Sequence, residues 1–400
     1  MTIGQLDETD AAGADRRFLH TLFFGYALLI PIATLFFRYG TLASGLTMTI
    51  DRALFWTLNS LTCTGFRASV HGLEDMTTAG HIGTLVLMLC GAFFSMSAGG
   101  LLVCRILDLN HSRRKIVTAT VVFLTLTSLA GAGLLMTPGR SLLAAVFESA
   151  SSITNTGMSL EGARELFDPR LFVAILPLAA VGALGMPVIV ELAEWFACSR
   201  KPSDYSRLVL RLSAGVWLLG FAILLLCGLS LSLRENVAAS WIGAVNTRSL
   251  AADVYYPVSL PRATWWAMTL LMLAGAAPGS PTGGLRLTTL WTLWTGSRRL
   301  LRGEPPGRSL GAAMAYTGIF LSLVIALFFC LLSLEPQLPA DRLATLAAGA
   351  LTNTGLSHDP LSNTGMSLYV LSLAMGIGHI LPVAFAWWMH DKSCYNPCQR

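Results

Sequence analysis

Thr154, Asn155, Thr156 and Gly157 return unchanged as Thr352, Asn353, Thr354 and Gly355, and a close variant stands at Thr62, Cys63, Thr64 and Gly65. Threonine hydroxyls and backbone carbonyls are neutral oxygen ligands. A glycine lets the chain turn such carbonyls inward through φ values that other residues avoid. Several turns of this kind around one axis can replace the hydration shell of a cation without using fixed charge. One isolated copy is an ordinary polar turn, and the chain supplies a warning in Ser362, Asn363, Thr364 and Gly365, which have no short helix before them. The other three copies differ in register: each ends a short amphipathic segment lying between two long apolar runs.

The elements that position these turns belong in a membrane. The 400 residues are 54% hydrophobic and 12% charged, with positive mean hydropathy. That composition excludes a water-soluble globular protein and predicts an all-α polytopic membrane protein. The first seventeen residues are polar and lack a secretory n-region and cleavage site, so the run from Phe18 is expected to remain as a transmembrane helix. Cysteines inside apolar runs, such as Cys90, Cys104, Cys198, Cys227 and Cys330, read as small reduced core residues. His390, Cys394 and Cys398 have loose metal-like spacing but no fourth ligand, and no cofactor is expected. The net charge of +5 is gathered in three loops: Arg105, Arg113, Arg114 and Lys115; Arg200, Lys201, Arg207 and Arg211; Arg298, Arg299, Arg302 and Arg308. Alternate loops carry the acids. This positive-inside pattern, rather than a nucleic-acid patch, places the basic loops and both termini in the cytoplasm.

Between those landmarks one unit recurs: long run, short segment, threonine-rich turn, long run. The runs fall near 18–37 and 82–106, 116–136 and 170–196, 208–232 and 264–297, and 311–333 and 366–388. They predict eight transmembrane helices in a pseudo-fourfold arrangement around one pore. The short segments 52–61, 141–153, 236–246 and 341–351 are too short to span and suit re-entrant helices that stop mid-membrane. The third unit is imperfect, ending in Ser249, Leu250 and Ala251. With Ala251 in the glycine's place, the markers fall at 65, 157, 251 and 355, at intervals of 92, 94 and 104 residues. The expected boundaries are 18–110, 111–200, 201–305 and 306–390, with cytoplasmic segments 1–17 and 391–400.

A second feature interrupts the third unit's last run. Gly275 to Thr289 reads GAAPGSPTGGLRLTT, with Pro278, Gly279, Ser280, Pro281, Thr282, Gly283, Gly284 and Arg286. No Gly-Lys-Ser/Thr ending or preceding strand supports a phosphate loop. A helix broken here frees polar backbone groups that must be buried in protein or face a water-filled path. The reading is a flexible constriction under the filter; the alternative is a kink.

These residues resemble the Trk/Ktr/HKT superfamily of potassium and sodium transporters, over nearly the whole chain after residue 18. GALGMPVIVEL, Gly182 to Leu192, is similar to the family's second inner helix, and GAAPGSPTGGLRLTT to its intramembrane gating loop. The resemblance implies filter glycines at Gly65, Gly157 and Gly355 with Ala251 as the third. It also implies a homodimer in membrane lipid with one pore per subunit, a cytoplasmic ring of nucleotide-binding regulatory subunits, and a bacterial inner-membrane location. MGIGHILP, Met375 to Pro382, looks like the fourth inner helix, with His379 where the family usually has an arginine barrier. His379 is either a pH-dependent barrier or a packing residue. If Ala251 needs positive φ, it carries strain. The expected function is monovalent cation uptake, of potassium or sodium, and not an enzyme activity. The competing reading is a non-conducting, degenerate subunit with a regulatory or assembly role.

Overall fold

The computed structural model describes residues 3–42, 47–109, 111–255, 260–305 and 307–394, apart from the side chains of 3–12, 308 and 391–394. The tail beyond 394, expected to be cytoplasmic, and the Cys394 and Cys398 thiols lie outside the described set. In chain order the helices are α1 (Ile3–Gly40), α2 (Ile50–Leu61), α3 (Thr78–Ile106), α4 (Arg113–Leu135), α5 (Leu142–Ile153), α6 (Leu171–Gly182) and α7 (Met186–Cys198). They continue as α8 (Asp204–Cys227), α9 (Leu233–Asn246), α10 (Arg262–Leu273), α11 (Leu287–Leu301), α12 (Arg308–Leu334), α13 (Ala340–Thr352) and α14 (Met366–Cys394).

The chain is an all-α polytopic membrane protein. Among the described residues, six helices are long and apolar enough to cross a bilayer, within α1, α3, α4, α8, α12 and α14. α6 and α7 reach the length and hydropathy of a seventh only when taken together, and they bend by 112° at their junction. The continuous run expected over 170–196 is therefore corrected. Gly185 takes φ +80° ahead of Pro187, and this pair redirects the chain. The eighth expected span is split into α10, of 12 residues, and α11, of 15, separated by the glycine-proline loop.

The four short helices α2, α5, α9 and α13 have 12, 12, 14 and 13 residues. At 1.5 Å per residue each measures roughly 18–21 Å, less than the ~30 Å of hydrocarbon. Ser141 caps α5 by accepting Ala144 N–H, and Ser232 caps α9 by accepting Glu235 N–H while its hydroxyl donates to Glu235 Oε2 at 2.6 Å. Most of their residues are buried, and long helices surround them: α2 packs on α1, α3 and α14, α5 on α4 and α6, α9 on α8, and α13 on α10, α12 and α14.

At the mouth end the chain leaving each turn is stitched to a neighbour. A short parallel pair, β1 (Arg164–Glu165) with β2 (Val254–Tyr255), joins the exits of the second and third turns. An Ala68–Leu361 bridge joins those of the first and fourth.

Candidate permeation site

Each short helix delivers its C-terminus to its turn. In the first, second and fourth turns the two threonine hydroxyls hydrogen-bond each other, Thr62 with Thr64 at 2.6 Å, Thr154 with Thr156 at 2.8 Å and Thr352 with Thr354 at 2.9 Å. The residue between them is left-handed in every case, with φ of 53° at Cys63, 60° at Asn155 and 51° at Asn353. The glycine follows at φ 84°, 72° and 60°. Backbone N–H groups of the second threonine and the glycine turn back onto one helix carbonyl, that of Asn59, Ser151 or Gly349. Two left-handed residues out of three explain why the motif must end in glycine.

The turns meet edge to edge. A side chain added at Gly355 would run into the Thr64 carbonyl, and one at Gly65 into the Thr156 carbonyl. These seams bring the fourth turn onto the first and the first onto the second. Asn353 Nδ2 reinforces one of them by donating to Thr64 Oγ1 at 3.0 Å and to the Met375 carbonyl at 2.9 Å. All the residues of these three turns are buried.

The third turn is built differently. Ala251 is not among the positive-φ residues, so the strain expected of it is absent. Asn246 Oδ1 accepts Ala251 N–H at 3.0 Å and its Nδ2 donates to the Ala252 carbonyl at 2.8 Å. In the first turn Asn59 braces Phe66, accepting its N–H at 2.8 Å and donating to its carbonyl at 2.9 Å, seven residues on, where Asn246 reaches a carbonyl six residues on. The third turn is thus one residue shorter between brace and exit. In place of a carbonyl, the Leu250 side chain faces the neighbouring glycine: a Cβ built on Gly157 would lie 2.7 Å from Leu250 Cδ2, and one on Gly65 3.1 Å from the same atom. Leu250 is 3% exposed.

Three further glycines, which motif reading missed, carry the same geometry. A Cβ on Gly91, Gly182 or Gly378 would strike the carbonyl of Leu61, Ile153 or Leu351, the last residue before each Thr-x-Thr-Gly turn. The long helices thereby approach the short-helix ends at backbone distance. Their spacing from Gly65, Gly157 and Gly355, between 23 and 26 residues, was the available signal.

Below the ring runs the loop 274–286. Ala277 N–H donates to the Ala183 carbonyl at 3.2 Å, Met186 N–H to the Gly279 carbonyl at 3.0 Å, and Gly283 N–H to the Thr352 carbonyl at 2.9 Å. Gly279, at φ 75°, lies against Gly99 and Gly100 of α3. The loop therefore touches the first, second and fourth units together. Arg286 is buried and holds it from within, Nη1 donating to the Ala277 carbonyl at 3.2 Å and to Ser280 Oγ at 3.1 Å, while Ser280 Oγ pairs with Thr282 Oγ1 at 2.9 Å. Leu285 N–H returns to the Leu273 carbonyl at 3.0 Å. A cavity of about 380 Å³ opens beneath, lined by Arg286, Tyr316, Val383 and Phe385 among others.

His379 packs. Its ring stacks on Tyr26 at 5.6 Å and Phe94 at 6.0 Å, and Nε2 meets Ser95 Oγ at 2.8 Å. Gly365, in the extra Thr-Gly copy, donates its N–H to Asp51 Oδ2 at 2.8 Å at the start of α14. That copy therefore caps a junction between units and forms no part of the ring.

Two acids acquire partners that the sequence did not reveal. Glu148, 3% exposed, is clamped by Arg164, with Nε to Oε1 at 2.7 Å and Nη2 to Oε2 at 2.5 Å, and by Arg140. Glu191 accepts Ser203 N–H at 2.7 Å and lies 3.7 Å from His111 Nε2. At the mouth, a cavity of about 650 Å³ lies among Arg67, Asp253, Arg342, His358 and Asp359. Burial pulls the His358 imidazole below its ordinary pKa, and its ring stacks on Trp265 at 3.7 Å. Burial pushes the Asp253 carboxyl upward, opposed by Arg67 at 3.5 Å.

The fold is similar to the crystal structure of the potassium transporter TrkH from Vibrio parahaemolyticus, with a TM-score of 0.74 at 15% identity, covering 94% of this chain and 84% of that one. In sequence, the chain is 26% identical over 201 residues to the potassium/sodium uptake protein NtpJ of Enterococcus hirae. That match spans 47% of this chain and 43% of NtpJ, less than half of the relative's length. No protein-family model matches. Both relatives are transport proteins rather than enzymes. The overall similarity shows that the chain shares the fold of TrkH.

Proposed function

We propose that the chain moves a monovalent cation, potassium or sodium, across the membrane through the ring of turns, with the loop 274–286 as its gate. One observation carries this reading: Gly355 and Gly65 each lie against a carbonyl of the next turn, which gathers backbone oxygens around one locus. Those oxygens supply the ligands that a dehydrating cation needs. The C-termini of α2, α5 and α13 add negative dipole potential at the same place. The loop's hydrogen bonds to three units suit a barrier that yields when those units shift. Uptake by NtpJ and transport by TrkH, as their names state, support the substrate class. The four units 18–110, 111–200, 201–305 and 306–390, an inner-membrane location with both termini cytoplasmic, a homodimer and a nucleotide-binding regulatory ring belong to the same proposal.

The Leu250 side chain favours a second reading, a non-conducting subunit. An isobutyl group beside Gly65 and Gly157 offers a cation no oxygen and narrows the ring. Purified protein in liposomes separates the two. In the conducting reading wild-type flux is measurable and Leu250→Ala raises it several-fold; flux in the variant alone carries the second reading.

Acidity on the mouth side should matter as well. Because burial raises Asp253, its negative charge is lost at higher pH than that of an exposed aspartate. Flux is expected to fall as the pH of that side drops through the raised Asp253 pKa, and Asp253→Asn to remove that part of the pH profile. An unchanged profile would remove Asp253 from the mouth field.

A further inference from the structure

Beside the third turn, a lateral crevice of about 360 Å³ opens between α6, α8 and α9. Its walls are apolar, including Pro177, Val181, Leu184 and Trp241, and Val181, in the broken apolar pair α6–α7, is 41% exposed. Arg248 stands at its inner end. Nη1 donates to the Ser213 carbonyl at 2.9 Å, but Nε has no partner among the described residues. The Trp217 indole N–H and the Ser213 hydroxyl line the same crevice and are likewise buried without a partner. None of the lining residues is acidic, and no described carboxylate pairs with Arg248.

A guanidinium at membrane depth is costly unless a counter-charge meets it, and such a residue marks a site by default. The three unsatisfied groups can all donate hydrogen bonds, which calls for an acceptor. The cation calls for that acceptor to be an anion. The apolar walls and the lateral opening call for a hydrocarbon chain behind it. A planar carboxylate matches the guanidinium fork through two parallel hydrogen bonds, and it is more compact than a phosphodiester head in this narrow space.

We propose that this crevice binds the carboxylate of a single-chain fatty acid, with Arg248 as the counter-ion, Trp217 and Ser213 as further donors, and the acyl chain along α6 and α8. The site abuts the third turn, whose Ser249 lines the crevice, but carboxylate binding there does not depend on what the ring conducts.

The test uses the full chain in neutral detergent and a bromine-labelled stearic acid, which quenches tryptophan fluorescence on contact. Saturable quenching is expected, and Trp217→Phe should remove part of its amplitude. The methyl ester of the same acid, which keeps the chain and loses the charge, should bind at least tenfold more weakly. Arg248→Gln should weaken the acid by at least tenfold and leave the ester unchanged. Ser213→Ala, a milder change, should weaken the acid several-fold, so the proposal stays testable if Arg248→Gln fails to fold. Equal binding of acid and ester, or acid binding indifferent to Arg248→Gln and Ser213→Ala, would overturn the assignment. So would Arg248-dependent quenching by a brominated phosphatidylglycerol with none by the acid.

Discussion

Gly355→Ala is expected to reduce cation flux at least tenfold while leaving the protein folded in the membrane. Two costs fall on one residue. At φ +60° an alanine pays about 1–2 kcal/mol for the left-handed conformation. Its methyl group would also meet the Thr64 carbonyl and the Gly65 backbone, neither of which is a movable side-chain tip. Overpacking of that kind costs about 1–3 kcal/mol. Relief comes only by parting the first and fourth turns, which moves the Thr64 carbonyl from its place in the ring. Since about 1.4 kcal/mol is a factor of ten, a few kcal/mol of lost ion coordination suffices. Ala251→Gly should behave oppositely, with little effect, because Ala251 is already unstrained. Flux and surface expression measured together check both; full flux from well-expressed Gly355→Ala would remove Gly355 from the site.

Glu148→Ala should destabilise the protein by about 3 kcal/mol, the lower end for breaking a buried ion pair, because Arg140 and Arg164 both keep Glu161 as a partner. The carboxylate is 3% exposed and sits in α5, six residues before Thr154. Arg164 grips it with two nitrogens and also reaches Glu161 at 2.8 Å and Asp168 at 3.4 Å. Arg164 itself lies in β1, paired to β2 beyond the third turn. The clamp therefore ties the second short helix to the exits of two turns. Glu148→Gln keeps the shape and some hydrogen bonds, so its loss should be smaller. Unfolding midpoints in detergent measure the order, wild type above Gln above Ala. A midpoint unchanged in Glu148→Ala would show that the clamp carries no stability.

Much of this fold was legible because membrane insertion writes itself into composition. Long apolar runs, basic loops on one side and glycine-ended turns at even spacing located the short helices to within a few residues. The glycine-proline run was readable because proline and glycine break a helix whatever surrounds it. What sequence left hidden depends on neighbours far along the chain. Gly185 breaks the fourth long run because its open side meets the Pro278 carbonyl from another unit. Whether Ala251 is strained depends on a turn one residue shorter, braced by Asn246. Leu250 reads as one more apolar residue until its side chain is seen beside Gly157. His379 and Glu148 likewise depend on partners, Tyr26 with Phe94 and the two arginines, that no local pattern announces.

The central claim, that the ring of turns passes a monovalent cation, is tested most directly by potassium and sodium flux from purified protein in liposomes under imposed gradients. The wild-type chain should carry at least one of the two ions above empty liposomes, and Gly355→Ala should cut that flux at least tenfold. Wild-type flux indistinguishable from empty liposomes for both ions would contradict it, and flux in Leu250→Ala alone would carry the non-conducting reading.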